Sequence, residues 1–550
     1  MKKISLLLIT SAFLFTGCEL DRLPETVLTD AAFWNTEKDL RGACNRLYQK
    51  LEGFSHDRRS DELVGTSAND ISSGSFSIPS VDTTNWSNPY REIYVSNNIL
   101  EKSASAKIPE AAKQRWMAEA RFFRAYNYFG LVKRYGGVPL ILQPFDTTEH
   151  PDIVRGRDNA EDVIKQCYDD LDFASEWLPR HSAITSGDWG RVSRSSALAL
   201  KARIGLYFGT LTKYHSLPGD YKTHLKVAID ACEAVMLEGH GLFPDFQKLF
   251  YLDGEGSGNK EGLLIKVYGP NGAPTTYHSN SRQMENSVSV TRQMIDLFLY
   301  IDGLPLLKSP LRPVAETSFD SALENRDPRL GMTIYRIGED AYKGDYQPFA
   351  NQHGFGYSLK KGFTLQQWQT NSREYVDKML IRYAEVLVSY AEALYEYNGN
   401  ISDSDLNKTV NRLRERVGFD VKLTNGFVAS NGLNMLEEIR RERTVEFIDE
   451  NLRYDDIIRW KIAENVLPQY ILGAKYVDDE TSRNREDLQA RLTDANGMLN
   501  GAKVCDQVDM YVIELKDSRR FDPKKDYLYP IPLNEISLTG GAIVQNPNWN

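Results

Sequence analysis

Residues 116 to 142, WMAEARFFRAYNYFGLVKRYGGVPLIL, set the pattern for the whole chain. Ala118, Phe122, Ala125, Phe129 and Val132 fall at steps of four and three, which is one face of an α-helix. Trp116, Ala120, Phe123 and Gly130 follow the same steps on a second face, so the helix is expected to be packed from both sides. The small residues among them let neighbouring helices come close. Gly136-Gly137 is expected to end the helix, and Pro139 prevents it from restarting. Glu119, Arg121, Arg124 and Asn127 sit among the aromatics and are expected to be paired where buried.

The same period predicts helices over Thr36 to Phe54, with Leu40, Leu47 and Leu51 inward, and over Asn88 to Ser105. It continues over Asn159 to Leu178, Arg194 to Leu211, Tyr221 to Leu237 and Asp403 to Val417. AEARFFRAYNYF from Ala118, SALALKARIGLYF from Ser196 and YAEVLVSYAEALYEY from Tyr383 each pair closely spaced alanines with a following aromatic. Each precedes a second helix of similar size, which reads as an internal repeat of helix pairs of the tetratricopeptide kind. Between Gly239 and Asp377 the period fades and Gly, Pro, Asn and aromatics crowd together, as in GEGSGNKEG and YGPNGAPTTYHSN. Leu433 to Trp460 reads as one charged helix, with Glu438, Arg441, Glu442, Arg443 and Glu446 spaced for pairing along it. The C-terminal YLYPIPLNEISLTGGAIVQNPNW carries too many prolines and turn residues for helix.

The expected fold is therefore mainly α, tetratricopeptide-like helix-pair repeats with a loop-rich, irregular inserted subdomain. Residues 36–238 are the first repeat region, 239–377 the insertion, and 378–550 the remaining repeats and C-terminal segment. Residues 65–86 form a long polar loop within the first region, and long ordered loops are often functional.

Composition adds little to this and excludes one class. Of 550 residues 41% are hydrophobic and 26% charged, as in ordinary globular proteins, and the formal charge of -10 argues against a nucleic-acid partner. Aromatics reach 11%, with 29 Tyr and 8 Trp, enough to leave rings for stacking sites or interfaces. The first residues are different. Lys2-Lys3, an apolar run from Ile4 to Phe15 and Thr16-Gly17-Cys18 have the layout of a signal peptide. The cysteine after a small residue resembles the lipobox of bacterial lipoproteins, in which it becomes the acylated first residue. Residues 1–17 are then the signal peptide, 18–35 the lipid anchor and tether, and Cys18 the lipidation site. Cys44, Cys167, Cys232 and Cys505 have no metal-type or redox-type spacing and read as small buried side chains.

Several stretches together resemble the SusD/RagB family of outer-membrane nutrient-binding lipoproteins. They are AAFWNTEKDLRGACNRLYQKL, YREIYVSNNIL, AEARFFRAYNYFGLVKRYGGVPLIL, GRVSRSSALALKARIGLY, IRYAEVLVSYAEAL, NRLRERVG, IRRERTVEFIDENLRYDDIIRW, YPIP and QNPNW, in the family's order. The chain departs from the family at Asn451, where glycine is usual, and at Asn548-Trp549 in place of Gly-Tyr. The resemblance implies a surface-exposed, lipid-anchored protein of the outer membrane that binds oligosaccharides, or in some branches peptides. It also implies a partner, a TonB-dependent SusC-like transporter, packed on the repeats, with the ligand held by the loop-rich side.

No catalytic constellation stands out. The eight histidines are scattered with no H-E-x-x-H, and GEGSG does not place serine as a nucleophile elbow requires. Asp253, Glu255 and Ser257 open like a calcium loop, but Leu264 stands where the bidentate acid belongs. The expectation is a binding protein with no cofactor and no metal. A peptide-binding lipoprotein, a surface glycoside hydrolase and a protein-recruiting scaffold are the alternatives. A sugar site needs a flat ring for a pyranose face and planar polar groups for its hydroxyls. The candidates are Asn69, Asp70 and Phe76 in the first long loop, Tyr277, His278 and Arg282 in the insertion, and Trp368 in GFTLQQWQTN. Phe76, Tyr277 and Trp368 are expected to converge on one face. Trp86, beside a helix, is read as structural.

Overall fold

The computed structural model describes residues 33–65, 67–145, 150–269, 288–341, 344–349, 356–363, 365–366, 369, 374–481 and 510–549. Its frame is a run of helices, each packed on the next: α1 (Glu37–Asn45), α2 (Asn88–Ser105), α3 (Glu110–Tyr135), α4 (Ala160–Trp177), α5 (Arg194–His215), α6 (Tyr221–Met236) and α7 (Tyr383–Asn398). α7 follows α6 directly in space although 146 residues separate them in the chain. The helices carrying Ala120, Ala199 and Ala391, α3, α5 and α7, touch in that order.

The two-faced pattern of α3 is realised. Trp116, Ala118, Ala120, Phe122, Phe123, Ala125, Tyr128, Phe129 and Val132 are all buried in one large core. The polar residues among them are paired. Arg124 donates to Asp170 through Nε and Nη2, at 2.8 and 2.6 Å, and Glu119 is held by Arg115, Arg191 and the Tyr48 hydroxyl. Arg121 lies 3.7 Å from Asp170, and the Asn127 amide donates to the Phe123 carbonyl. α5 and α6 approach tightly at Gly205, where a Cβ would lie 2.8 Å from both the Ala228 nitrogen and the His224 carbonyl oxygen. Cys44, Cys167 and Cys232 are free and buried, and Trp86 is buried too.

Three helical expectations are corrected. The segment from Thr36 is α-helical only to Asn45 and tightens to a 3₁₀ turn over Arg46–Lys50. The helix from Asp403 breaks at Thr409, leaving Asp403–Lys408 and α8 (Val410–Arg416). The stretch Leu433 to Trp460 is two helices, α9 (Met435–Glu446) and α10 (Arg453–Arg459). Asp449 and Asn451 separate them with φ of 60° and 61°, the left-handed conformation that Asn and Asp tolerate better than most residues. The C-terminal stretch is irregular as expected, apart from a short helix at Leu533–Leu538.

The insertion builds a second core around Val288, Val290, Phe298, Leu330, Tyr335, Tyr357 and Leu359. That core also takes Leu63 from the first loop and Val445, Ile448, Ala474, Tyr476 and Tyr511 from the C-terminal part, so the subdomain is not confined to 239–377. Sheets are short antiparallel pairs: β1 (Leu63–Gly65) with β3 (Val288–Val290), and β2 (Gly262–Lys266) with β4 (Lys378–Arg382) among them.

The charges of α9 do not serve the helix itself, except for Arg441 with Glu438 at 3.2 Å. Glu446 accepts from Arg382 at 2.7 Å, from Arg329 at 3.0 Å and from Arg416. Glu442 accepts from Arg414 at 2.9 Å and lies 2.7 Å from Arg329 Nη2. Arg382 also donates to Glu261 and Glu450, each at 2.8 Å, and Lys361 Nζ donates to Glu450 at 2.6 Å. Burial alone would raise the Glu446 carboxyl. Arg416, Arg382 and Arg329 together reverse this and hold it far below the usual range.

A second carboxylate meets the opposite environment. Glu255 Oε1 accepts the Asp377 N–H at 2.8 Å, while Asp377 accepts from Trp189 Nε1 and the Tyr268 N–H. Burial, then the Asp377 charge, pushes Glu255 from its ordinary 4.5 up to about 7. Between those values the folded chain holds a proton that the unfolded chain has lost, so stability falls as pH rises through that window. Glu255→Gln keeps the acceptor oxygen and removes the repulsion. It should raise the melting temperature at pH 8 and give no gain at pH 4; equal melting curves for variant and parent at pH 8 would refute the assignment.

Candidate ligand-binding face

β1 and β3 pair Leu63 with Val290, Val64 with Ser289 and Gly65 with Val288. The ribbon is antiparallel, so the chain leaves Gly65 at the same end where it arrives at Val288. Gly65 opens the loop that carries Asn69, Asp70 and Phe76, and Val288 closes the stretch that carries Tyr277, His278 and Arg282. Two segments more than two hundred residues apart are thereby rooted side by side. Asn69 stands four residues from that root, at most about 14 Å of extended chain. The root is firm. Leu63, Val288 and Val290 are buried, the Val290 N–H donates to the Tyr357 carbonyl, and the Thr291 N–H donates to the Glu62 carbonyl.

The described part of the first loop is an ordered turn. Asn69 Oδ1 accepts the N–H groups of Ile71 and Ser72, at 3.0 and 3.2 Å, and caps a single helical turn, Asp70–Ser73. Gly74 ends the turn in the left-handed conformation, φ 72°. The C-terminal segment clamps it, since the Arg520 N–H donates to the Ser73 carbonyl at 3.0 Å. Phe76 is half-buried, edge-on to Tyr529 and Trp549 with ring centroids 5.7 and 6.3 Å away. Its ring holds the turn against the C-terminal segment. Asp70 is exposed, with one long contact from the Ser75 hydroxyl at 3.5 Å.

Cys18, Tyr277, His278, Arg282 and Trp368 lie outside the described residues, as does Cys505. The chain enters the Trp368 stretch from Phe363 and returns at Glu374, both buried. Among the described residues no cluster of three or more His, Cys, Asp or Glu side chains could hold a metal ion. None of the described helices is long and apolar enough to cross a membrane.

A Cβ on Gly74 would lie 2.2 Å from the Arg520 carbonyl oxygen, at a φ that side chains rarely adopt. Gly74→Ala should cost more than about 1 kcal/mol of stability in urea unfolding. Stability equal to the parent would show that the turn is not held by the C-terminal segment.

Comparison with known proteins agrees with this architecture. Residues 251–549 match the model of the SusD family, and residues 38–206 match a family described as "Starch-binding associating with outer membrane". A SusD-like protein of Bacteroides ovatus is 26% identical over 522 residues, covering 92% of this chain and 89% of that protein. SusD-like protein P2 of Formosa agariphila is 25% identical over 581 residues and covers 100% of both. Among solved structures, a SusD-like carbohydrate-binding protein of Bacteroides fragilis superimposes with a TM-score of 0.72 at 24% identity, over 92% of this chain and 99% of that one. A laminarin-binding SusD-like protein superimposes with a TM-score of 0.60 at 19% identity, over 94% and 100%. With more than half of its length matched by the family model, the chain belongs to the SusD family.

Proposed function

We propose that this protein is a lipid-anchored receptor of the outer membrane's outer face, which captures oligosaccharides and passes them to a TonB-dependent SusC-like transporter. Membership of the SusD family carries this reading, since the relatives that superimpose on the whole fold include proteins described as carbohydrate-binding and laminarin-binding. The ribbon end supports it by rooting two of the three candidate loops together. In this reading Asp70, Tyr277, His278, Arg282 and Trp368 contact the sugar. Asn69 and Phe76 serve by fixing the shape of the turn that presents Asp70. The helical repeats face the transporter, and Cys18 carries the acyl chains.

Two experiments test it. The soluble chain, titrated with a panel of glycans that includes starch and laminarin, should bind at least one and release no product. Trp368→Ala should weaken that binding about five-fold to a hundredfold, as loss of a stacking ring does, with the melting curve unchanged. Hydrolysis products would favour a glycosidase, and an unchanged affinity would remove Trp368 from the site. In cells, Cys18→Ala should abolish membrane retention, because the acyl chains supply roughly 0.8 kcal/mol of membrane affinity per buried CH₂. Normal surface retention of that variant would overturn the lipoprotein assignment.

A further inference from the structure

Behind the clamped turn lies a cleft of about 500 Å³, well within the ~300–1,000 Å³ of small-molecule sites. Its walls come from the start of α2, the second half of α3, the 49–52 and 450–455 segments, β4 and Tyr529. Tyr454 and Tyr529 line it, and the same two rings line the hollow beneath Ile71, Gly74 and Phe76, so cleft and turn stand back to back. The cleft is open to solvent at Gln49, Lys50, Glu52, Thr84 and Gly130, all exposed.

Its charges are already balanced within the protein. Lys133 pairs with Asp455, Lys378 with Glu52 at 3.2 Å, Arg203 with Glu385 at 2.5 Å, and Arg59 with Asp57 at 2.7 Å. Glu450 is held by Arg382 and Lys361, and Arg134 lies 3.6 Å from Asp82 while covering the Tyr529 ring. Of the charged groups on the wall, only Lys50, at the exposed rim, has no ion-pair partner among the described residues. Glu92 is paired only at 3.9 Å, with Arg46, and its Oε2 has no hydrogen-bond partner among the described residues, so an anionic ligand would meet a carboxylate and no free cation inside. Among the described residues the side chain of Asn88 makes no hydrogen bond, and Asn127 spends only its amide N–H, on Phe123. Asn85, Thr84 and Gln49 add further planar or hydroxyl groups, and the rings of Tyr126 and Phe129 complete the wall. Amides able to donate and accept at once, beside aromatic rings and with no net charge to neutralise, match a neutral polyol.

We propose that this cleft is a second binding site, for a neutral mono- or disaccharide. It stands on the cleft's own lining and does not depend on the reading of the loop face. Asn88 and Asn127 hydrogen-bond the sugar's hydroxyls, and the compensated ion pairs keep charged sugars out.

Saturation-transfer NMR on the soluble chain tests it, with glucose, galactose, mannose and their β-linked disaccharides as probes, each beside glucuronate and galacturonate. At least one neutral sugar should show transfer and outcompete both uronates. Asn88→Ala with Asn127→Ala should weaken it at least about tenfold, the loss expected for two hydrogen-bonding amides. A second variant guards against misfolding. No atom lies within 4 Å of a Cβ built on Gly130, on the cleft wall, so Gly130→Leu sends its side chain into that open space. It should abolish the signal while the melting temperature holds or rises. Transfer from none of the neutral sugars, meaning a cleft that holds water only, would overturn the proposal. So would preference for the uronates, or signals that survive in both variants.

Discussion

The structure depends on a buried cluster of opposite charges at the junction of repeats and insertion. Glu261, Asp327, Glu442, Glu446 and Glu450 meet Arg329, Lys361, Arg382, Arg414 and Arg416, five of each sign. Taking ten charges out of water is costly, and attraction offsets the cost only when nearly every charge is paired and hydrogen-bonded. Losing one partner would strand several others, a penalty of about 3–5 kcal/mol for a buried pair. The cluster is composed of both parts of the protein. Glu261, Asp327, Arg329 and Lys361 belong to the insertion; Arg382, Arg414, Arg416, Glu442, Glu446 and Glu450 belong to the later repeats. An apolar seam would tolerate sliding, whereas these directed, often bidentate bonds admit one relative placement. The β1–β3 ribbon is packed into the second core, to which Val445 of α9 and Ile448 just beyond it also contribute, so its position follows from this junction.

Much of the helical frame was legible in the sequence, because its information is local. The steps of three and four in α3, the alanines of α5 and α7, and the boundaries of α2, which runs over Asn88–Ser105 as read, come from neighbours in the chain. The charges of α9 misled for the same reason. Their spacing suits pairing along one helix, yet Glu442 and Glu446 face arginines that lie 28 to 117 residues away. No glycine or proline marks the break after Glu446; Asp449 and Asn451 turn the chain in the left-handed conformation. The same holds for the β1–β3 ribbon, whose strands are three residues each and whose pairing is set by distant sequence.

Of the candidate face, local sequence shows the loops and hides how Asn69 and Phe76 are used within them. Loop composition picked out the two segments that the ribbon joins. Within the first of them, Asn69 carries the amide of a ligand-binding residue and spends it as a helix cap, a use that its position before Asp70-Ile71-Ser72 allows. Phe76 sits in a serine-rich loop, where its ring looked free, but the C-terminal Tyr529 and Trp549 reach it from more than four hundred residues away. The cleft was missed for a complementary reason. Asn88 and Asn127 lie in helices, where an asparagine on a polar face gives no sign that a concave wall stands opposite.

The charge cluster couples the insertion to the repeats, and Arg329 with Glu446 is one of its bridges, at 3.0 Å with both side chains buried. A double-mutant cycle with Arg329→Met and Glu446→Gln, followed by urea unfolding, measures that coupling. The expected interaction energy is above about 1 kcal/mol, as for contacting residues in one hydrogen-bonded network. Additive effects of the two substitutions, with a coupling indistinguishable from zero, would contradict it.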